Sequence, residues 1–369
     1  MKSQVYFANL RSKSQATSLI NKVGRLFEVA GFKNIIQPNE PTAIKMHFGE
    51  EGNTSFLNPI YVREVVKRIK KYKGKPFLTD ANTLYKGRRN NSVDHLNTAI
   101  ENGFAYAVVD APIIISGGLF SQDFVEVEID KKHFDRVKIT SDIVYTPSMI
   151  VLAHFKGHST AGFGGALKSL GMGCAAVAGK QQQHSTAKPH SVSDCRTCGI
   201  CARSCPTGAI TVMKKHVSID HDKCIGCGEC ISYCPDRAIE PEWGTKMDEF
   251  VERMVEYAYG AAKGKEGKLG FINFVMDVSP LCDCIPWSDA PIVPDIGILA
   301  STDPVAIDQA SLDLVNKSKA AAGSVLDEQY KEGQDKFEAA NPDTKGYMQM
   351  TYAEELGLGT RDYELIEVI

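Results

Sequence analysis

CRTCGICARSCPTGAI, residues 195–210, and CIGCGECISYCPDRAI, residues 224–239, are two copies of one pattern, C-x2-C-x2-C-x3-C-P. Three closely spaced thiolates wrap one face of an iron–sulfur cube, and the proline after the fourth cysteine turns the chain so that this cysteine reaches the other cluster. The spacing therefore predicts two [4Fe–4S] clusters with crossed ligands, one on Cys195, Cys198, Cys201 and Cys234, the other on Cys224, Cys227, Cys230 and Cys205. A zinc ribbon would need only C-x2-C pairs, and duplicated four-cysteine runs ending in proline ask for more than that. Between the runs, ITVMKKHVSID (210–220) alternates apolar and polar residues as a short hairpin does.

Over residues 192–240 the pattern resembles bacterial two-cluster ferredoxins, including Gly199 and Gly228, where small residues let backbone approach sulfur. That resemblance implies electron transfer and a redox partner protein, and it names no substrate.

Outward from these runs the chain alternates apolar strands with amphipathic helices, the pattern of an α/β fold with a mostly parallel sheet and flanking helices. TAIKMHF (42–48), KPFLTDA (75–81), AYAVVDA (105–111), SMIVLAHF (148–155), LGFINFVMDV (269–278) and DIGILAS (295–301) are the strand candidates. Helices are expected over residues 16–30 and 59–72. Another is expected where Met247, Phe250, Val251, Met254, Val255 and Ala258 recur on one face. Strand-like runs on both sides of the cysteine module make it an insertion, residues 190–242, into one α/β domain formed by 1–189 and 243–369. The rival is a second α/β domain appended end to end. The polar stretch AGKQQQHSTAKPHSVSD (178–194) reads as the linker into the module.

Composition narrows the function. The 369 residues are 43% hydrophobic and 24% charged with a net charge of −3, which gives no default surface for polyanions, so nucleic acid is not expected as a partner. Basic runs stand at 67–75 and 86–89, and the first lies on a helical pattern and reads as a solvated face. The N-terminus lacks the apolar stretch of a signal peptide, and no run approaches the ~18 apolar residues of a membrane span. A cytoplasmic protein is expected, and its eleven cysteines argue for metal ligation over disulfides.

AIKMHFGEEGNT, FLTDANTLYKGRR, DHLNTAIENGF, LAHFKGHSTAGFGGALKSLGMG, STDPVAIDQASLDLV and AEELGLGTRDYELIEV resemble the blocks of the domain-of-unknown-function 362 family, iron–sulfur center proteins with an inserted ferredoxin. The resemblance spans nearly the whole chain. It implies an α/β domain carrying two clusters and leaves the reaction open.

In open α/β sheets ligands bind beyond the carboxyl ends of the strands. Five such segments carry chemistry: Lys45, His47 and Glu50; Asp80, Asn82, Thr83, Tyr85 and Arg88; His154, Lys156, His158 and Lys168; Asp277, Cys282 and Cys284; Ser301, Asp303 and Asp308. Singly, each has a structural reading, such as a core histidine or a helix-capping aspartate. Together they suggest one cleft. His154 and His158 are spaced i, i+4, but Gly157 and the preceding strand pattern argue for a loop over a metal-binding helix face. GFGGALKS (162–169) nearly matches a phosphate-cradling loop, yet Leu167 stands where a glycine is required, which excludes an ATPase. A looser anion site built on Gly164, Gly165 and Lys168 would take a carboxylate or phosphate of a small substrate or a flavin.

Three cysteines remain. In extended backbone Cys282 and Cys284 would point the same way, and Cys174 would approach from a neighbouring strand end. With His154, His158 or His184, three thiolates would suit zinc, iron or a further cluster; the bland alternative is that they are small core residues. The expected function is an oxidoreductase passing electrons from the clusters to a site where Lys45, Lys168 and Arg88 hold an anion and His47, His154 or His158 handle protons, with Asp80 a further catalytic candidate. A noncatalytic electron carrier or docking subunit, and a metal- or cluster-handling protein, are the alternatives.

Overall fold

SMIVLAH, residues 148–154, is buried at every position, and its side chains alternate between two cores: Met149 and Val151 enter one, Ile150 and Leu152 the other. A strand apolar on both faces has to sit inside a sheet covered on both sides. It does so in the computed structural model, which describes residues 2–85, 87–184, 188–192, 195–224, 228–236, 238–241, 247–342 and 344–368. Eight strands form the sheet: β1 (Ser3–Asn9), β2 (Pro41–Lys45), β3 (Lys75–Ala81), β4 (Ile113–Ser116), β5 (Ser148–His154), β6 (Leu269–Val275), β7 (Gly297–Ser301) and β8 (Tyr363–Glu367). Their spatial order is β8-β1-β7-β6-β5-β2-β3-β4. Within this sheet only the two pairings that β7 makes are antiparallel, so β7 alone runs against the rest.

Helices cover both faces. Leu19–Val29 and Pro59–Lys71 bury Val23, Leu26, Val62, Val65 and Ile69 on one side; Met247–Ala262 and Pro304–Lys317 bury Phe250, Met254, Val305 and Ile307 on the other. Each such side chain stabilises the fold by about 1.5–3 kcal/mol. The basic face of Pro59–Lys71 is neutralised within the protein, because Arg68 pairs with Glu64 and Glu28, Lys71 with Glu28 and Lys70 with Asp110.

Two segments differ from the sequence reading. AYAVVDA is not a strand. Tyr106–Val109 is a short helical turn that buries Val109 and Ala111, and the strand begins only after Pro112, at Ile113. The supposed linker begins as a helix, Val177–Gln183, buried at Val177, Ala178, Gly179, Lys180, Gln181 and Gln183. Residues 185–187 and 193–194 of that stretch lie outside the described residues.

The sheet draws β1–β5 from before the cysteine runs and β6–β8 from after them. Pro189–Ser191 pairs antiparallel with Ile239–Pro241, which brings the two ends of the intervening segment side by side. Inside it, Ile210–Val212 pairs with Val217–Ile219 as the alternation predicted.

Candidate active site

The carboxyl ends of β2, β3 and β5, with the chain that follows β6, enclose a cavity of about 340 Å3. Among the described residues, five basic side chains line it, Lys45, Arg89, Lys156, Lys168 and Lys180, against a single carboxylate, Asp80. Lys45 and Asp80 form a buried pair at 3.0 Å. Burial alone would raise the Asp80 pKa, but the charges of Lys45, His95 and Arg89 hold it below the ordinary value. Arg89 bridges Glu50 at 3.1 Å and the Tyr85 hydroxyl at 2.6 Å. The side chains that line the cavity are thus cation-rich, which favours an anion, although Lys45 and Arg89 already have Asp80 and Glu50 as partners.

Lys180 reaches this wall from the helix Val177–Gln183, where its Nζ donates to the Ala175 carbonyl at 2.8 Å. Burial pushes its pKa down to about 7, with Asp80 opposing and Lys45 reinforcing the shift. An amine that titrates near neutrality can give and take a proton.

His47 and His158 share one arrangement. The Gly49 amide donates to Nδ1 of His47 at 3.0 Å, and the amides of Thr160 and Ala161 donate to Nδ1 of His158 at 3.1 and 3.0 Å. With Nδ1 accepting, a neutral ring carries its proton on Nε2. Burial, then the positive charges of Arg89, Lys156, Lys168 and Lys45 around His47, and of Lys168, His184 and Lys156 around His158, push both pKa values well below the imidazole norm. Both rings are neutral donors.

Cys282 and Cys284 are presented by a turn. The Ile285 amide donates to the Cys282 carbonyl at 3.0 Å, so the extended backbone assumed from sequence is replaced by a tight reversal. Between them Asp283 is fully buried, accepting from Nδ1 of His154 at 2.8 Å and pairing with Lys156 at 3.5 Å. Gly157 makes the approach feasible, since a Cβ there would lie 2.0 Å from the Pro280 carbonyl oxygen. Lys168 Nζ is 3.5 Å from Cys282 Sγ. The hydrogen bond from Cys284, helped by Lys168 and Lys156 against burial, lowers the Cys282 pKa, while Cys284, as the donor, is raised. The bias is towards negative charge on Cys282, the sulfur beside Lys168.

Among the described residues, donor atoms of His158, Cys282 and Cys284 lie within 4.8 Å of one another. A metal would need a lone pair on the histidine nitrogen facing it. Nδ1 of His158 is already committed to two amides, and Lys168 supplies the positive charge at Cys282. This donor set does not fit a single divalent ion.

Of the residues anticipated, Lys45, His47, Asp80, Thr83, Tyr85, Lys156, His158, Lys168, His184, Cys282 and Cys284 come together at the cavity. Others are elsewhere. Arg88 is at the surface, paired with Glu101 and Glu51. His154 lies behind the cavity, its Nε2 directed at the Met276 and Asp277 carbonyls while Nδ1 holds Asp283. Ser301 and Asp303 sit at the opposite end of the sheet because β7 runs antiparallel; Asp303 caps the helix Pro304–Lys317. Cys174 is a core residue whose thiol faces the Ser169 carbonyl at 3.8 Å, pushed up to about 11 by burial. Gly164, Gly165 and Lys168, the residues of the expected anion site, line the cavity, but the start of helix Ala166–Gly171 that follows the two glycines is taken by the protein itself. Asp308 accepts from the amides of Ala166 and Leu167 at 2.8 and 2.9 Å, and a Cβ at Gly165 would stand 2.3 Å from its Oδ1. Arg89 and Lys180 escaped sequence reasoning, although Arg89 adjoins Arg88 in KGRR and Lys180 is the lone charge in AGKQQQ.

The cysteine module abuts this cavity. Leu84, a lining residue, and Val177 pack with Cys201, Cys230, Ile210, Val217, Ile231 and Ile239. Gly228, at φ 73°, leaves room for the helix behind Lys180: a Cβ there would be 2.4 Å from Gln181 Cβ. Burial and the neighbouring thiols of Cys234, Cys195 and Cys198 raise the pKa of Cys201. Backbone amides of Thr197, Ala209 and Ala238 donate to the sulfurs of Cys195, Cys205 and Cys234 at 3.2, 3.2 and 3.3 Å. Sulfur-rich surroundings with amide donors fit an iron–sulfur cluster. Cys227 lies outside the described residues.

Short stretches are similar to components of known oxidoreductases. The chain is 46% identical over 46 residues to a subunit of the ion-translocating oxidoreductase complex of Methanosarcina acetivorans, covering 12% of this chain and 17% of that protein. It is 36% identical over 75 residues to a selenate reductase subunit of Mesobacillus selenatarsenatis, covering 18% and 26%. The chain thus spans about a quarter or less of these curated relatives. Among solved structures it is similar to the lactate racemase apoprotein of Thermoanaerobacterium thermosaccharolyticum, at a TM-score of 0.40 and 13% identity, covering 75% of this chain and 51% of that one. No helix of the described residues is long and apolar enough to cross a membrane. The family model described as domain of unknown function (DUF362) matches residues 42–313, which takes in β2–β7, the cavity and the cysteine module, and the chain belongs to that family.

Proposed function

We propose that the protein is a cytoplasmic iron–sulfur oxidoreductase in which two [4Fe–4S] clusters pass electrons, one at a time, to a small anionic substrate in the strand-end cavity. The observation that carries this reading is a shared wall. The helix Val177–Gln183 turns Lys180 to the cavity and Ala178 and Gln181 to Gly228 of the cysteine module. The clusters supply single electrons when bound; the protein's own groups bind the anion and manage protons. Lys45, Lys156, Lys168 and Arg89 hold negative charge, His47 and His158 donate hydrogen bonds, and Lys180 is the proton carrier. A cavity of about 340 Å3 is at the small end of ligand pockets and favours a small anion over a flavin.

The ligand sets are the crossed ones, Cys195, Cys198, Cys201 and Cys234 for one cluster, Cys224, Cys227, Cys230 and Cys205 for the other. The influence of Cys234 on Cys201 supports the crossing. The second set is the nearer one in this reading, because Gly228 in its cysteine run meets Ala178 and Gln181 on the helix that carries Lys180. Residues 190–242 are an insertion into one α/β domain, in keeping with their paired ends.

The test starts from anaerobic protein with about eight irons per chain. After chemical reduction, a panel of small oxyanions, keto acids and low-molecular-weight disulfides is screened for reoxidation of the cluster absorbance. An active compound should react roughly tenfold or more slowly with Lys180→Met. If every small acceptor leaves the clusters reduced while a redox protein drains them, the carrier reading replaces this one.

A further inference from the structure

The turn that presents Cys282 and Cys284 has features that neither ligand binding nor packing requires. Asp283 anchors it to His154 and Lys156 from behind, so the two thiols flanking that anchor are held on the cavity side and cannot swing apart independently. A turn brings Cα atoms two residues apart into the roughly 4.4–6.8 Å range that a disulfide spans. The sulfurs themselves lie within 4.8 Å of each other. One of them faces the Lys168 ammonium at 3.5 Å, the environment that makes a thiol nucleophilic. His158 offers a proton donor, not a metal-binding lone pair.

We propose that Cys282 and Cys284 form a reversible dithiol–disulfide couple that stores two electrons at the cavity wall. Its purpose rests on the oxidoreductase reading above; its existence does not. In the reductive direction the S–S bond accepts two electrons and one proton and breaks, leaving the thiolate of Cys282 beside Lys168 and the thiol of Cys284. The two electrons come singly from two reduced iron–sulfur clusters. In the oxidative direction the Cys282 thiolate attacks a disulfide-class acceptor, breaking its S–S bond, forming a mixed disulfide on Cys282 and releasing one half as a thiolate. Cys284 then attacks the Cys282 sulfur, closing the internal disulfide and releasing the second half as a thiol, so that two electrons leave as a pair. The couple thereby turns one-electron deliveries into a two-electron step. The lowered pKa of Cys282 agrees with its role as the attacking sulfur.

The chain between Lys268 and Lys317 has no other basic residue and no other cysteine, so one tryptic peptide reports on both thiols. Anaerobic holoprotein is equilibrated in buffers of reduced and oxidised dithiothreitol, quenched with an alkylating reagent, digested and weighed. The peptide should pass from doubly alkylated to unalkylated, two hydrogens lighter, in a single two-electron transition, with no singly alkylated form accumulating. Cys282→Ser should leave Cys284 alkylated at every ratio. Lys168→Met should slow alkylation of Cys282 at pH 7 about tenfold. Two thiols that stay alkylatable throughout the series would overturn the couple, as would stoichiometric metal released only when these thiols are modified. Cluster absorbance is read in the same samples. Clusters reoxidised by a small anion without any disulfide transition sink the couple alone, whereas a disulfide transition in protein whose clusters no small molecule drains supports the couple and removes the oxidoreductase reading.

Discussion

The strand-end cavity and the cysteine module adjoin, yet they are held together in opposite ways. Around the cavity key charged groups are fixed by partners remote in the chain: Lys45 by Asp80, Arg89 by Glu50, and Asp283 by His154. In the module the sulfurs are wrapped by their own neighbours, with Thr197, Ala209 and Ala238 donating to cysteines two or four residues away. Among the described residues the module's apolar cluster has eight buried members, of which Leu84 and Val177 belong to the α/β domain and Cys201 and Cys230 are cysteines. So small a core does not fold a unit unaided, and metal has to supply the difference. The α/β domain, with a buried core on each face of its sheet, needs no such help.

The largest expected effect follows from this contrast. Chelating the iron should make residues 195–241 sensitive to limited proteolysis while the α/β domain still melts cooperatively. Excising 190–242 behind a short linker should do the same, because Pro189–Ser191 and Ile239–Pro241 bring the ends together. Excised protein that keeps secondary structure but loses cooperative melting would favour the appended architecture. Next in size is Asp283→Ala, which strands His154 and Lys156 without their anion. It should cost about 3–5 kcal/mol in denaturant titrations, and a loss below ~1 kcal/mol would show that the turn is not anchored through Asp283.

A smaller effect is expected of Lys180. Its pKa is about 7 folded and 10.5 unfolded, so between those values the unfolded chain binds more protons. Stability should therefore rise with pH across that window, at no more than ~1.4 kcal/mol per unit, and fall as pH drops from 10.5 towards 7. Wild type minus Lys180→Met isolates this slope, and a flat difference would falsify the buried neutral amine. The smallest effect should come from Arg88→Ala, which removes solvent-screened surface ion pairs, leaves the cavity untouched and should not move a denaturant midpoint measurably. If Arg88→Ala instead cost as much as Asp283→Ala, the separation of surface from cavity would be wrong.

The same division governs what could be read in advance. Strands β2, β3, β5, β6 and β7 were legible because period-two alternation and apolar runs are local; the edge strand β8 and its neighbour β1, both only partly buried, left a weaker trace. AYAVVDA misled because its valines read as a strand, whereas only Val109 and Ala111 reach the core and Tyr106 stays exposed. Arg88 was taken for Arg89 because which of two adjacent side chains enters a cavity depends on backbone rotation, which composition does not record.

By itself the sequence determined the α/β class, the paired cysteine runs with their hairpin, and the family, since each rests on spacing within a few dozen residues. Only the tertiary structure decided that β7 runs backwards and carries Ser301 and Asp303 away from the cavity. It alone placed Asp308, not a ligand, on the helix start at Ala166, and His154 behind Asp283 rather than in the site. It also separated Cys174, a core residue, from Cys282 and Cys284 beside Lys168. The physical reason is common to all of these. A buried charge or thiol takes its character from the partner it meets, and here those partners come from strands and turns far apart in the chain.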